Sequence, residues 1–297
     1  MNTAVQIGIL GAGAVGHMLA YLLQEFTSYD VQILGREGPR PLKSQIVWGE
    51  RALDLDIPLR SGACQLLLVA LKSYDIKAAL REQLPHLAPG TPLVILSNGY
   101  IEPEIAELRE PFAHLIWRKG IVTKGIKVDA EGRYRMGMQG EVIWGSREDP
   151  TAVESGCMRE LAAFGWHWSA DTCPLRKAKW YYNTVLNTLC AAYRLPRNGD
   201  ALRLFEADGQ ALAHEVFTLG CELWPDWKAA EDELWWELRR LIQKTADNEN
   251  SMARDVRLGR RTEADALSGC LRLSADPARY PLLISFHERV TGKSWAL

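Results

Sequence analysis

Val5-Gln6-Ile7-Gly8-Ile9-Leu10-Gly11-Ala12-Gly13-Ala14-Val15-Gly16 is the stretch that decides the fold. Its short apolar run ends in glycines and reads as a buried parallel strand. The residues from His17 to Phe26 follow with Met18, Leu19, Leu22 and Leu23 at helical spacing. Between strand and helix, Gly11 permits a tight turn and Gly13 lets backbone approach a ligand. Gly16 lets helix and strand pack closely, and the helix start at Ala14 and Val15 faces negative charge. In this context the pattern predicts a dinucleotide whose pyrophosphate rests on the turn. A glycine-rich turn without a ligand is the alternative.

Further strands are expected at 31–34, 66–71 and 92–96, with a helix from Tyr74 to Leu84 ended by Pro85. Strands alternating with helices make a doubly wound parallel sheet. The segments 114–122, 125–128 and 141–144 look hairpin-like and extend the sheet antiparallel. A helix over 151–164 and a short strand at 166–169 follow. From about Pro174 the texture becomes helical, over 176–193, 200–223, 227–258 and 261–274. The reading is an α/β, Rossmann-type doubly wound domain over 1–170 and an all-helical domain over 171–297.

Bulk composition narrows the function classes. The 297 residues carry a net charge of −2, with 47% hydrophobic and 24% charged residues. This leaves no electrostatic footprint for nucleic acid. No run reaches the ~18 apolar residues of a membrane span, and the N-terminus lacks the pattern of a signal peptide. The six scattered cysteines show no metal-like spacing, so they are read as reduced thiols of a cytoplasmic protein without a metal.

Several side chains stand out. Arg36 follows the second strand, where a carboxylate would favour NAD; this cation, with Arg40 and Lys43 nearby, suits the 2′-phosphate of NADP. Lys72 and Asn98 follow the third and fourth strands, at the edge where such sheets bind ligands. Lys72 is placed to contact cofactor phosphate or ribose, and Asn98 to orient a nicotinamide or a substrate. Lys179, Asn183 and Asn187 recur every four residues and so share one helix face. A cation and two amides on such a face suggest a polar cleft that can hold an oxyanion or donate a proton; a solvated helix edge is the alternative. Asn248 and Ser251 lie three apart on an expected helix. Glu263 begins the next one, with Thr262 as a fitting cap, so that on its own this cluster reads as a capped helix surface.

With these residues the chain resembles the 2-dehydropantoate 2-reductase (ketopantoate reductase) family. The resemblance runs through the glycine turn, Leu71-Lys72-Ser73-Tyr74, Ser97-Asn98-Gly99 and the Lys179–Asn183–Asn187 helix. It continues through Pro196-x-Asn198-Gly199, Asn248-x-x-Ser251-Met252-x-x-Asp255 and Arg261-Thr262-Glu263. It implies reduction of a small 2-keto acid by NADPH in pantothenate synthesis, with Lys179 as general acid and Glu263 positioning it or the substrate. It implies that Asn98, Asn183, Asn187, Asn198, Asn248 and Ser251 line the site, and that Arg36 and Lys72 hold the cofactor. The protein is expected as a monomer or homodimer. Three stretches depart from the pattern: Tyr100-Ile101-Glu102, the charged Trp117-Arg118-Lys119-Gly120-Ile121, and the tryptophan-rich 226–236. They leave open another 2-keto acid or an imine as substrate. A non-catalytic NADP-binding protein is the reading from a different class, and the presence of both Lys179 and Glu263 argues against it.

Overall fold

The computed structural model describes residues 4–34, 42–60, 63–204 and 208–295. It divides into two compact units, one of residues 1–97 with 102–172, the other of 98–101 with 173–297.

In the first unit, β1 (Gln6–Leu10) leads through the glycine turn into α1 (Ala14–Phe26) and β2 (Asp30–Leu34). Then come β3 (Leu42–Trp48), β4 (Arg51–Ile57), β5 (Leu59–Arg60), β6 (Leu66–Val69), α2 (Ile76–Gln83) and β7 (Pro92–Ile95). The remaining elements are α3 (Glu102–Arg109), β8 (Ile116–Val122), β9 (Ile126–Val128), β10 (Tyr134–Met136), β11 (Val142–Gly145), α4 (Ala152–Glu160) and β12 (Trp166–Trp168). Eight strands form one sheet in the order β12-β11-β8-β7-β6-β1-β2-β5. From β5 to β8 all are parallel, and the order is that of a Rossmann sheet. The expected antiparallel extension is β11, which pairs with β8 at Val142↔Val122. The strands were legible because both their faces are buried: Ile7, Ile9, Leu66, Leu68 and Val94 are fully covered, as are Met18, Leu19, Leu22 and Leu23 of α1.

A second sheet, β4-β3-β10-β9, was not expected. Its hairpin β3–β4 turns at Gly49-Glu50, with Gly49 at φ +61° and Trp48 opposite Arg51. The signal was present as alternating Leu53, Leu55 and Ile57 beyond a glycine-led two-residue turn.

The second unit holds α5 (Cys173–Ala192), α6 (Gln210–Leu223), α7 (Glu231–Lys244), α8 (Ser251–Arg257) and α9 (Pro281–Thr291). Its core includes Trp180, Tyr181, Val185, Leu189, Val216, Leu238 and Phe286. Two expectations change here. The continuous helix over 227–258 breaks at 245–250, because the side chains of Thr245 and Asn250 bond backbone groups and compete with helical pairing. Asn248 therefore lies in the turn, and Ser251 is the first residue of α8 rather than a partner on a shared helix. The segment 261–274 forms only 3-10 turns, 264–266 and 268–273. The two turns part at Leu267, and the Ser268 hydroxyl that opens the second meets His287 Nδ1 at 2.9 Å. Finally, α9 starts with Pro281, which suits the first helical position, and ends at Gly292 with φ +67°. All six cysteines are free thiols. Among the described residues, no helix is long and apolar enough to cross a membrane.

Candidate active site

The glycine turn meets the demands that a pyrophosphate would make on it. Gly11 has φ +122°, and a Cβ there would lie 2.6 Å from the Ala70 carbonyl oxygen, just past the neighbouring strand β6. A Cβ on Gly16 would lie 1.9 Å from the Gly11 backbone oxygen, so helix and turn touch only because residue 16 is glycine. Around Gly13 nothing lies within 4 Å of that position. Gly13 caps α1, no side chain bonds the helix end, and the first turn carries no acidic residue. Ala14, Val15 and Gly16 thus present backbone amides to an open space with a positive dipole end. The turn lies beside the β1–β6 junction, where strand order reverses and such sheets bind ligands.

His17, which the sequence reading left aside, braces this turn. Its Nδ1 donates to the Gly13 carbonyl at 2.9 Å, and its ring stacks on Tyr134 of β10 at 3.9 Å. Burial holds its pKa below the usual histidine value, which keeps the ring neutral. Lys72 caps the 3-10 turn that follows β6 and is half-buried. Arg36 and Arg40 lie outside the described residues, as does the side chain of Lys43.

The other expected residues gather in the helical unit. Asn98 belongs to it through the 98–101 segment. A Cβ on Gly99 (φ +88°) would lie 2.6 Å from that of Ala266, and the Tyr100 amide donates to the Ala266 carbonyl at 2.7 Å. Ala266 ends the 3-10 turn that Glu263 caps. The backbone therefore ties Asn98 to the segment that carries Glu263.

Glu263 is buried at 7% exposure, and its carboxylate acts electrostatically on Lys179 of α5. Burial pushes the Lys179 ammonium down to about 8, against the opposing pull of Glu263 and with a smaller push from Arg176. A lysine in this state can give up its proton near neutral pH.

Asn187 and Asn198 are joined by a residue the sequence reading missed. Asn250 is 2% exposed. Its Nδ2 donates to Asn187 Oδ1 at 2.9 Å and to Asn198 Oδ1 at 3.1 Å, while its Oδ1 accepts from the Ala253 amide and caps α8. Asn198 Nδ2 donates onward to Thr245 Oγ1 at 3.0 Å, and its backbone amide bonds the Asn248 carbonyl. The clue was its place just before Ser251, a cap position. Asn183 lies on α5 between Lys179 and Asn187.

The departing stretches are largely explained by internal pairing. Lys119 of β8 pairs with Glu102 of α3, so two unusual charges satisfy each other. Arg118 is buried against Glu154 at 3.4 Å and also donates to Glu148 at 2.8 Å. In the helical unit, buried Lys177 donates to Asp226 at 2.7 Å and lies over Trp224. Of the tryptophans in 226–236, Trp227 packs against Phe217 and Trp224, while Trp236 is exposed.

A glycine turn shaped as a dinucleotide would require, in one unit, and a lysine whose charge burial disfavours, in the other, are features of one class of protein, the oxidoreductases that use a nicotinamide cofactor. The family model described as Ketopantoate reductase PanE/ApbA matches residues 7–149, and that described as Ketopantoate reductase PanE/ApbA C terminal matches 174–281. The chain belongs to this family and is an oxidoreductase acting on a keto acid. It is 28% identical over 280 residues to the 2-dehydropantoate 2-reductase of Yersinia pestis, covering 90% of this chain and 87% of that one. Two solved structures share the fold. A probable 2-dehydropantoate 2-reductase from Bacillus subtilis matches with TM-score 0.76 and 21% identity, over 97% of this chain and 99% of that one. A D-mandelate dehydrogenase with NADH and anilino(oxo)acetate matches with TM-score 0.80 and 15% identity, over 97% and 98%.

Proposed function

We propose that the chain reduces 2-dehydropantoate to pantoate with NADPH, with Lys179 as the general acid. The observation that carries this reading is the Lys179 ammonium, held down to about 8 by burial and opposed by the Glu263 charge. Residues 1–170 would form the cofactor domain, where Gly11, Gly13, Ala14, Val15 and Gly16 hold the pyrophosphate. Lys72 contacts the phosphates or ribose, and Arg36 pairs with the 2′-phosphate. Residues 171–297 would form the catalytic domain, joined by Asn98.

When bound, NADPH supplies the hydride that adds to the ketone carbon. Negative charge then builds on the ketone oxygen, and Lys179 Nζ stabilises it and delivers a proton there. Glu263 keeps the ammonium in place and favours its charged form. Asn98, Asn183, Asn187, Asn198, Asn248 and Ser251 supply amides and a hydroxyl to the keto acid. The Asn250 network fixes the orientation of two of these amides before substrate arrives.

The test is purified protein with 2-dehydropantoate and NADPH, followed at 340 nm. Steady loss of absorbance with formation of pantoate is the expected result; no turnover excludes this substrate. A second reading, another 2-keto acid, is favoured by one observation: Tyr100, two residues after Asn98, packs against Trp224 at 5.1 Å and brings aromatic bulk near that amide. A panel of 2-keto acids in the same assay separates the two.

A further inference from the structure

A cavity of about 690 Å³ lies within the helical unit, walled by the 256–265 segment, Arg272 and the end of α9 through Trp295. Lys179 does not line it. Its lining carries four cations, Arg260, Arg261, Arg272 and Lys293, against one carboxylate, Asp265. Asp265 is already engaged: it accepts from Arg272 at 2.9 Å and faces Arg261 at 3.9 Å. The cavity is built on fixed parts. His287 is buried on its floor and bonded to Ser268 at 2.9 Å, and the Trp295 ring stands edge-on to it at 5.1 Å. The Trp295 amide donates to Glu288 Oε1 at 2.6 Å, which holds the tail beside the cavity.

Arg272 is tied to Asp265 and, through Nε, to the Gly269 carbonyl at 3.0 Å, so the excess positive charge on this concave surface comes chiefly from Arg260, Arg261 and Lys293. Guanidinium forks match phosphate oxygens bidentately, and hydroxyls of Thr262 and Ser294 add donors. The volume falls in the ordinary range for small-molecule sites and exceeds what a single inorganic ion fills.

We infer that this cavity binds a phosphorylated small molecule, with the phosphate held by Arg260, Arg261, Arg272 and Lys293. This site is separate from the glycine turn and does not depend on the proposed reaction. It adjoins the catalytic segment at one place: Thr262 and Ala264 line it, and buried Glu263 stands between them. A ligand there presses on the backbone that carries Glu263.

The probe is inorganic pyrophosphate, titrated calorimetrically into the full chain. The glycine turn is also a phosphate site, so the Gly13→Asp variant serves as the background, its added carboxylate closing that turn to anions. Arg260 and Lys293 are exposed and can be truncated without opening the core. Pyrophosphate should bind Gly13→Asp, and adding Arg260→Ala and Lys293→Ala should weaken it about tenfold or more, two charge-assisted contacts being lost. Circular dichroism checks that all variants fold. Equal binding with and without the two cations, or no binding to Gly13→Asp at millimolar pyrophosphate, overturns the inference. Turnover of a keto acid by the unmodified chain is measured separately, so failure of one reading does not mask the other.

Discussion

The Asn250 amide nitrogen donates to Asn187 Oδ1 at 2.9 Å, bridging the turn before α8 to the helix that carries Lys179. The same side chain caps α8, so one residue sets both a local helix start and the orientation of the Asn187 amide.

Asn250→Ala removes a helix cap and leaves the acceptors of Asn187 and Asn198 without this donor. A cap is worth about 1 kcal/mol and a stranded buried polar group about 1–3 kcal/mol. The expected loss is about 2–4 kcal/mol by urea denaturation, with a raised KM for the keto acid. A variant as stable as the parent with unchanged KM removes the bridging role.

Gly13→Asp has room for its Cβ, since nothing lies within 4 Å, yet places a carboxylate where a pyrophosphate would rest. It should keep the parent's Tm and weaken NADPH binding at least tenfold, read by fluorescence titration. Gly16→Ala differs: its Cβ would lie 1.9 Å from the Gly11 oxygen, so it should lose stability as well as affinity. Unchanged NADPH binding in Gly13→Asp would remove the turn from the cofactor site. For Arg36→Ala, affinity for NADPH should fall far more than affinity for NADH. Equal losses would discard the 2′-phosphate role.

Arg118→Met strands Glu154, a carboxylate with 0% exposure. Breaking a buried pair from one side costs about 3–5 kcal/mol. Chemical denaturation should show a loss of that size with NADPH affinity unchanged. A loss below about 1 kcal/mol would mean that Glu154 is satisfied by Thr151, whose amide and hydroxyl both donate to it.

Lys179 also links to stability. The folded group releases its proton near 8, against an ordinary 10.5. Between those values the unfolded chain binds more protons, so this group makes the protein more stable as pH rises from about 8 to 10.5. Lys179→Met removes that rise and should match or exceed the parent's stability at pH 7, by about 1–2 kcal/mol. Parallel stability–pH curves for the two proteins would contradict the lowered value.

The first half of the fold was legible because its strands are apolar throughout and its turn is marked by glycines. The β3–β4 hairpin was missed because its alternating polar positions, Lys43, Gln45, Asp54 and Asp56, set it apart from the continuous apolar runs of the parallel strands. The helical composition of 261–274 misled because the break at Leu267 and a tertiary contact from Ser268 to His287 override local propensity. At the candidate site, the spacing of Lys179, Asn183 and Asn187 was visible because a helix imposes it. Asn250 was not, because its role rests on partners 63 and 52 residues away. The unusual charges of 117–119 left the substrate open because their partners Glu102, Glu148 and Glu154 are distant in sequence.

The most direct test of the proton-donor role is the pH profile of kcat/KM for keto-acid reduction in the parent and in Lys179→Met. The parent should hold a plateau below about pH 8 and fall tenfold per unit above it, as the ammonium is lost. The variant should bind NADPH normally, turn over on the order of 10² more slowly or worse, and lose that alkaline limb. A variant that reduces the keto acid at the parental rate, or that keeps the same limb near pH 8, would contradict Lys179 as the acid.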